Sequence, residues 1–318
     1  MQTVLVAGGA GFIGKHLCES LLEDNYSVIC VDDFVTSDKK NLEKLLKNPN
    51  FKFIEQDITK QIDSSLFPEV DYIFHLASPA SPNKKSPRSY INFPIETLLA
   101  NSIGTKNLLD LAKEKNSKFL YVSSSEVYGD PLISPQKEDY FGNVSPNGVR
   151  SVYDEGKRFG EAITMAYFRK YNLDTRIIRI FNTYGPFMQI DDGRVVSNFI
   201  NQAVKNNPLT VYGKGEQTRS FCYVDDMVRG LKLAMFTDNT SGEVFNLGNP
   251  DEKTILQLAE LIKKLTNSSS EIIFEDLPQD DPKSRNPDIA KAKQVLDWEP
   301  RVKTEDGILK TIEYFKGL

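Results

Sequence analysis

The stretch Thr3-Val-Leu-Val-Ala7-Gly8-Gly9-Ala10-Gly11-Phe12-Ile13-Gly14 decides how this chain folds. Thr3–Ala7 is a short apolar, β-branched run, the pattern of a buried parallel strand. Glycines follow at positions 8, 11 and 14, and a helical pattern then continues to Leu22. Ser27–Val31 reads as a second strand, ending in Asp32-Asp33. Strand, glycine turn, helix and strand together make a βαβ unit. Gly8, Gly11 and Gly14 permit a tight turn, close approach of backbone to a pyrophosphate, and close helix–strand packing. The helix that starts at Phe12 and Ile13 offers unpaired N–H groups to phosphate. Asp32 stands where an acid binds a ribose 2′-hydroxyl and repels a 2′-phosphate, which favours NAD over NADP.

Outward from this unit the alternation continues. Asp38–Lys47 reads as a helix, and Phe51–Glu55 and Val70–His75 read as strands. Asp57 and Ile58 follow the first of these at the edge where an adenine would lie, and Leu76 and Ala77 follow the second. A polar loop with prolines at 79, 82 and 87 precedes a helix from Pro94 to Lys115, with Leu98, Leu99, Ile103, Leu108, Leu109 and Leu111 on its apolar side. Lys118–Val122 is a fifth strand and opens into Ser123-Ser124-Ser125-Glu126, at the strand end where ligands bind in doubly wound sheets. A loop over 130–149, a helix to Tyr171 and a strand over Thr175–Phe181 come next.

The rhythm then changes. A helix is expected from Asp191 to Lys205, a short strand at Leu209–Tyr212, a helix ending at Phe236, and a return to the sheet at Val244–Leu247. Thr254–Asn267, Glu271–Glu275 and Ala290–Leu296 mix helix and strand around a charged loop over 276–285. The pattern predicts an α/β protein: a Rossmann-type doubly wound parallel sheet with a smaller, discontinuous α+β C-terminal lobe. Residues 1–184 plus 218–248 would bind the dinucleotide, and 185–217 plus 249–318 the substrate.

Chemistry enters at Tyr153 and Lys157. Four residues apart on a helix, they share one face. An ammonium within ~4–6 Å of an acid typically lowers its pKa by 1–3 units, from about 10 for tyrosine. The pairing predicts a tyrosine drawn down toward useful acid–base chemistry near neutrality.

Bulk properties narrow the class. The 318 residues are 40% hydrophobic and 26% charged, ordinary for a globular chain. A net charge of -5 argues against nonspecific nucleic-acid binding, which calls for a basic surplus. No apolar run approaches the ~20 residues of a membrane span. The N-terminus passes straight into a strand, so no signal peptide is expected. Cys18, Cys30 and Cys222 are scattered, and His16 and His75 are the two histidines, so no metal site is expected. These features predict a cytoplasmic, metal-free protein.

The glycine motif, the Ser124…Tyr153-x-x-x-Lys157 spacing and the two-piece C-terminal lobe resemble the extended short-chain dehydrogenase/reductases, the nucleotide-sugar epimerases and dehydratases. Longer blocks, Ser124–Pro131, Gly148–Arg158, Arg179–Pro186, Asp191–Ile200 and Gln217–Val224, are similar to the UDP-glucuronic acid decarboxylases of that family. The resemblance implies an enzyme with tightly held NAD that oxidises C4 of a UDP-linked uronic acid, releases CO₂ and re-reduces the product. It implies that Tyr153 removes the 4-hydroxyl proton and that Ser124 holds the same oxygen. Dehydratases of the family carry an aspartate at position 125, where this chain has Ser125. Glu126 would lie near C5 and C6, positioning the ring or aiding C5 protonation. Arg194 and Arg219 would bind the UDP, Tyr212 the uracil, Asn182 phosphate or sugar, and Arg285 would close over diphosphate and sugar. Asn101 would lie beside the cofactor. The family dimerises through the helices over 94–115 and 151–171.

Glu96-Thr-Leu-Leu99-Ala-Asn101 departs from the lysine-bearing pattern of animal and plant decarboxylases, and the loop before it is longer. The substrate therefore stays open among glucuronate, an N-acetylated relative and a dTDP-sugar, with a 4,6-dehydratase or 4-epimerase as the alternative reactions.

Overall fold

The structure is a computed structural model that describes residues 1–277 and 284–318. Its first half runs β1 (Thr3–Ala7), α1 (Phe12–Glu23), β2 (Ser27–Asp32), β3 (Phe51–Glu55), β4 (Tyr72–His75), α2 (Pro94–Leu99), α3 (Thr105–Lys115), β5 (Lys118–Ser124), α4 (Ser151–Tyr171) and β6 (Thr175–Ile180). Then come β7 (Thr183–Tyr184), α5 (Val195–Val204), β8 (Leu209–Tyr212), β9 (Thr218–Ser220), β10 (Cys222–Tyr223), α6 (Val224–Phe236), β11 (Val244–Leu247), β12 (Glu252–Thr254), α7 (Ile255–Thr266), β13 (Ile272–Glu275), β14 (Ser284–Arg285), α8 (Ala290–Leu296) and α9 (Thr304–Lys316).

Seven strands form one parallel sheet in the order β11-β6-β5-β4-β1-β2-β3. Alternate residues of β1 enter opposite apolar clusters, Val4 and Val6 on one face and Leu5 and Ala7 on the other. Both faces are therefore covered, which is why β1 reads as a continuous apolar run. The strand order reverses between β1 and β4, and the crevice beyond their C-terminal ends is where such sheets bind ligands. This is the Rossmann-type sheet that the first βαβ unit predicts.

Three expectations need correcting. Asp38–Lys47 is not one helix but two short 3₁₀ turns, Lys39–Leu42 and Leu45–Lys47. Only Asn41, Leu42 and Leu45 are buried there, too little apolar surface to hold a full helix. The helix over 94–115 is interrupted by a π-turn at Ala100–Gly104. Its extra residue per turn rotates the faces, so Ile103 is 44% exposed although Leu108, Leu109 and Leu111 are buried. The helix expected from Asp191 begins at Val195. The sequence reading also passed over α9, whose Ile308, Ile312 and Phe315 pack inward at helical spacing.

Outside the seven-stranded sheet, β8 pairs with β13 and a small sheet is ordered β12-β9-β14. Thr218–Ser220 pairs antiparallel with β12 and parallel with β14. Part of the charged loop expected over 276–285 lies outside the described residues. Among the described residues no helix is long and apolar enough to cross a membrane, and no His, Cys, Asp and Glu cluster could hold a metal ion.

Candidate active site

At the end of β1 the chain turns through Gly8, whose φ of +82° suits glycine. A Cβ there would come within 2.6 Å of the Ala77 backbone nitrogen, and one on Gly14 would run into the Gly8 carbonyl oxygen. Bare backbone thus frames the groove, and α1 opens at Gly11 without a side-chain cap. Asp32, at the end of β2, accepts hydrogen bonds from Ala10 N (3.0 Å), Phe34 N (3.0 Å) and Ser37 Oγ (2.7 Å). Burial raises its pKa against the pull of those donors. Asp32 borders a cavity of about 320 Å³ together with Gly8, Gly11, Asp57, Ile58 and Ala77. A second cavity of about 210 Å³ shares Gly8, Gly11, Thr36, Ser37, Leu76 and Ser78 with the first, so the two run into one another. A glycine cradle, an open helix start and a carboxylate at the second strand's end fit a dinucleotide with a free ribose 2′-hydroxyl.

The second cavity holds the sequence's catalytic candidates. Ser124, Ser125, Glu126, Tyr153, Lys157, Asn182 and Arg194 all line it, as do Phe12, Ile13 and Gly14. β5 delivers Ser124 to its mouth, and a 3₁₀ turn over Ser125–Tyr128 carries the next two. Helix α4 supplies Tyr153 and Lys157. Its buried face, with Gly156, Gly160, Thr164 and Tyr167, lies against the sheet because Gly160 leaves room for the Tyr121 ring.

The pair does not sit as the spacing alone predicts. Lys157 Nζ is 5.7 Å from the Tyr153 ring centre and donates to the Val122 carbonyl at 2.9 Å. Burial lowers its pKa to about 7, opposed by Glu161. Burial pushes the Tyr153 hydroxyl up to about 12, while the Ser124 hydroxyl and the Arg194 charge pull it down. Desolvation therefore wins over the expected lowering, because the ammonium is aimed at a carbonyl rather than at the phenol.

Tyr90 lies flat on Tyr153, with ring centres 4.9 Å apart and planes at 8°. It also lines the cavity, and its buried hydroxyl has no hydrogen-bond partner.

At the other end, Glu126 is clamped between arginines. Its Oε2 is 2.5 Å from Arg150 Nη2 and 3.2 Å from Arg285 Nη2. Arg285 also donates to the Gly129 carbonyl. Burial would raise the Glu126 pKa, but Arg150, Arg285 and Arg219 together hold it down to about 2. Near neutrality this carboxylate is held as its anion, paired with both guanidinium groups. Asp154, beside Tyr153, is pushed up to about 8 by burial and then by Glu126, and its Oδ1 has no partner.

Four candidates line neither cavity: Asn101, Tyr212, Arg219 and Arg285, the last reaching Glu126 from outside the lining. Asn101 is fully buried in the π-turn, donating to Ser78 Oγ (2.8 Å) and the Thr97 carbonyl (2.8 Å) and accepting from Tyr121 (3.0 Å). Its amide holds Ser78, which lines both cavities. Tyr212, at the end of β8, and Arg219, which donates to the Thr218 carbonyl at 2.8 Å, line neither cavity. Sequence reasoning assigned no role to Tyr90 or Arg150. Tyr90 sits in a loop without periodicity; Arg150 precedes Tyr153 by one helical turn, a spacing that could have marked it.

The profile of the NAD dependent epimerase/dehydratase family matches residues 4–248. The chain is 50% identical over 315 residues to UDP-glucuronic acid decarboxylase 1 of Xenopus tropicalis, covering 99% of this chain and 72% of that one. It is 51% identical over 314 residues to UDP-glucuronic acid decarboxylase 5 of Arabidopsis thaliana, covering 98% and 89%. Its fold is similar to that of UDP-glucuronic acid 4-epimerase from Bacillus cereus, solved with UDP-glucuronic acid and NAD, with a TM-score of 0.89 at 31% identity over 99% of both chains. With glycine cradle, Ser124, Tyr153 and Lys157 in one groove and the family profile over most of its length, the chain belongs to the NAD-dependent epimerase/dehydratase family.

Proposed function

We propose that this protein is an NAD-dependent UDP-glucuronic acid decarboxylase, converting UDP-glucuronic acid to UDP-xylose and CO₂. One arrangement carries the reading. The cavity joins Ser124 and Tyr153 to the cationic side chains of Arg194 and Arg150, with Ser125 and Glu126 in the same lining and Arg285 paired to Glu126. The relatives at about half identity bear the name of the same activity.

The uronic carboxyl group stands on C5. A ketone at C4 makes it a β-keto acid, whose electrons flow into an enolate as CO₂ leaves; a proton from water then takes the place of the carboxyl group on C5. NAD, when bound, supplies a hydride acceptor for C4 that later returns the hydride, and its oxidised ring brings a positive charge. Tyr153 takes the 4-hydroxyl proton and gives it back at the end. Its raised pKa makes the phenol the resting form, so Lys157 turning from the Val122 carbonyl toward it favours the phenolate. Ser124 hydrogen-bonds the same sugar oxygen and keeps it in line. Glu126 holds Arg150 and Arg285 as a preorganised cationic surface for the anionic substrate. The unpartnered Tyr90 hydroxyl gains a hydrogen bond from the sugar.

Incubation of purified protein with UDP-glucuronic acid, substoichiometric NAD and no reductant should yield UDP-xylose and CO₂ in equal amounts by NMR. Inversion at C4 or loss of water without CO₂ would overturn the reading. Two finer points complete the proposal. Exposed Ile95, Ile103 and Phe159 on α2, the π-turn and α4 support a homodimer through these helices, which light scattering would test. Cys18, Cys30 and Cys222 as buried free thiols support a cytoplasmic location, testable by fractionation.

A further inference from the structure

The loop between β4 and α2 crosses the groove, and polar side chains tie it to other segments. Ser81 donates to the Asp192 carbonyl, Ser86 to the Asp191 carbonyl at 2.5 Å, and Asn83 to the Gly193 carbonyl at 3.3 Å. The loop lies close on Gly193, where φ is +83° and a Cβ would come within 2.7 Å of Asn83 Cβ. Arg88 reaches both sides. Its Nε donates to Asp191 Oδ1 at 2.9 Å, and its Nη1 donates to the carbonyls of Thr36 (2.6 Å) and Ser37 (3.3 Å). Thr36 and Ser37 border both cavities and so mark their junction, and Ser37 in turn donates to Asp32.

We propose that residues 81–88 form a strap over the dinucleotide groove, buckled by Arg88 and Asp191, that must open before NAD can leave. The proposal rests on the reading that the groove takes NAD. Arg88 joins the β2 side of the groove to the 191–193 segment, whose neighbours Asp192 and Arg194 line the catalytic cavity. These ties are hydrogen bonds to backbone carbonyls and one ion pair. They can break into water and re-form, unlike the apolar packing that anchors the sheet. A cofactor that is oxidised and re-reduced within one turnover has no need to exchange, and the strap would hold it in place between turnovers.

The test is the rate at which NADH, loaded onto purified protein, is lost during a chase with excess NAD, followed by its fluorescence. Arg88→Ala should speed release by about 10–100-fold, the equivalent of losing one or two charge-assisted hydrogen bonds. Asp191→Asn, which keeps the backbone carbonyl that Ser86 uses, should also speed it, and Arg88→Lys should fall between Arg88→Ala and the wild type. The double variant should release no faster than the faster single one, because both break one pair. Unchanged melting temperatures would identify the effect as release and not unfolding. Release at the wild-type rate in both single variants overturns the strap alone. A wild-type protein that takes up no NAD overturns the cofactor reading and the strap with it.

Discussion

The two ends of the catalytic cavity are built on opposite electrostatic plans. Around Tyr153 and Lys157, burial dominates: it raises the phenol to about 12 and lowers the ammonium to about 7, so both groups are driven toward their neutral forms. Glu126 is also largely withdrawn from water, yet its carboxylate is held down to about 2 because two guanidiniums face it. The difference teaches that desolvation alone decides nothing. What matters is whether a buried group meets a matched counter-charge. The neutral end is poised to move a proton; the ionised end is poised to stay rigid.

Breaking each end should therefore fail in a different currency. At the neutral end, Tyr153→Phe should cut kcat by roughly 10²–10⁴-fold while UDP binding and the melting temperature hold. Near-full activity would remove Tyr153 from the chemistry. At the ionised end, Glu126→Gln should cost stability first, about 3–5 kcal/mol, because it leaves Arg150 and Arg285 facing one another in a buried site. Chemical denaturation would read it. The sign with pH follows: a glutamate lowered from 4.5 to about 2 stabilises the fold above 4.5 and loses that contribution as pH falls toward 2. The wild type should thus lose more stability than Glu126→Gln across that window, and parallel curves would refute the clamp.

Smaller effects sharpen the contrast. A tyrosine that must lose its proton, with its pKa raised, gives a kcat/KM that climbs from neutral into alkaline pH. Lys157→Met should move that limb upward by about one unit, the usual worth of a nearby charge; an unmoved limb would mean Lys157 does not assist the phenol. Smallest is Tyr90→Phe, which keeps the stacked ring and removes a buried hydroxyl that has no partner. Loss of an unsatisfied group should leave the melting temperature unchanged or slightly higher. KM for UDP-glucuronic acid should still rise several-fold, the cost of about one hydrogen bond; an unchanged KM would leave the ring as packing alone.

Local patterns were legible wherever neighbours in sequence are neighbours in space. The βαβ unit, the strand ends at Ala7 and His75, and the shared face of Tyr153 and Lys157 follow from periods of two and 3.6 residues. The π-turn hid itself, since one extra residue per turn breaks the period and turns Ile103 outward. α9 was legible at Ile308, Ile312 and Phe315 but was passed over. The partners of Asn101, namely Tyr121, Ser78 and Thr97, are set by the π-turn and by strand packing, and only Thr97 is within a helical turn of it in sequence.

By itself the sequence determined the parallel sheet, the dinucleotide groove and the shared helix face of Tyr153 and Lys157, because each is encoded in one short stretch. Only the tertiary structure decided which charges meet. Glu126, Arg150 and Arg285 come from three distant parts of the chain, as do Arg88, Thr36 and Asp191. Their encounter depends on strand order and lobe packing, and the field each group feels depends on how completely water is excluded. Neither quantity has a period along the chain, so the direction of lysine and phenol, and the clamp on Glu126, could be read only once the fold had brought them together.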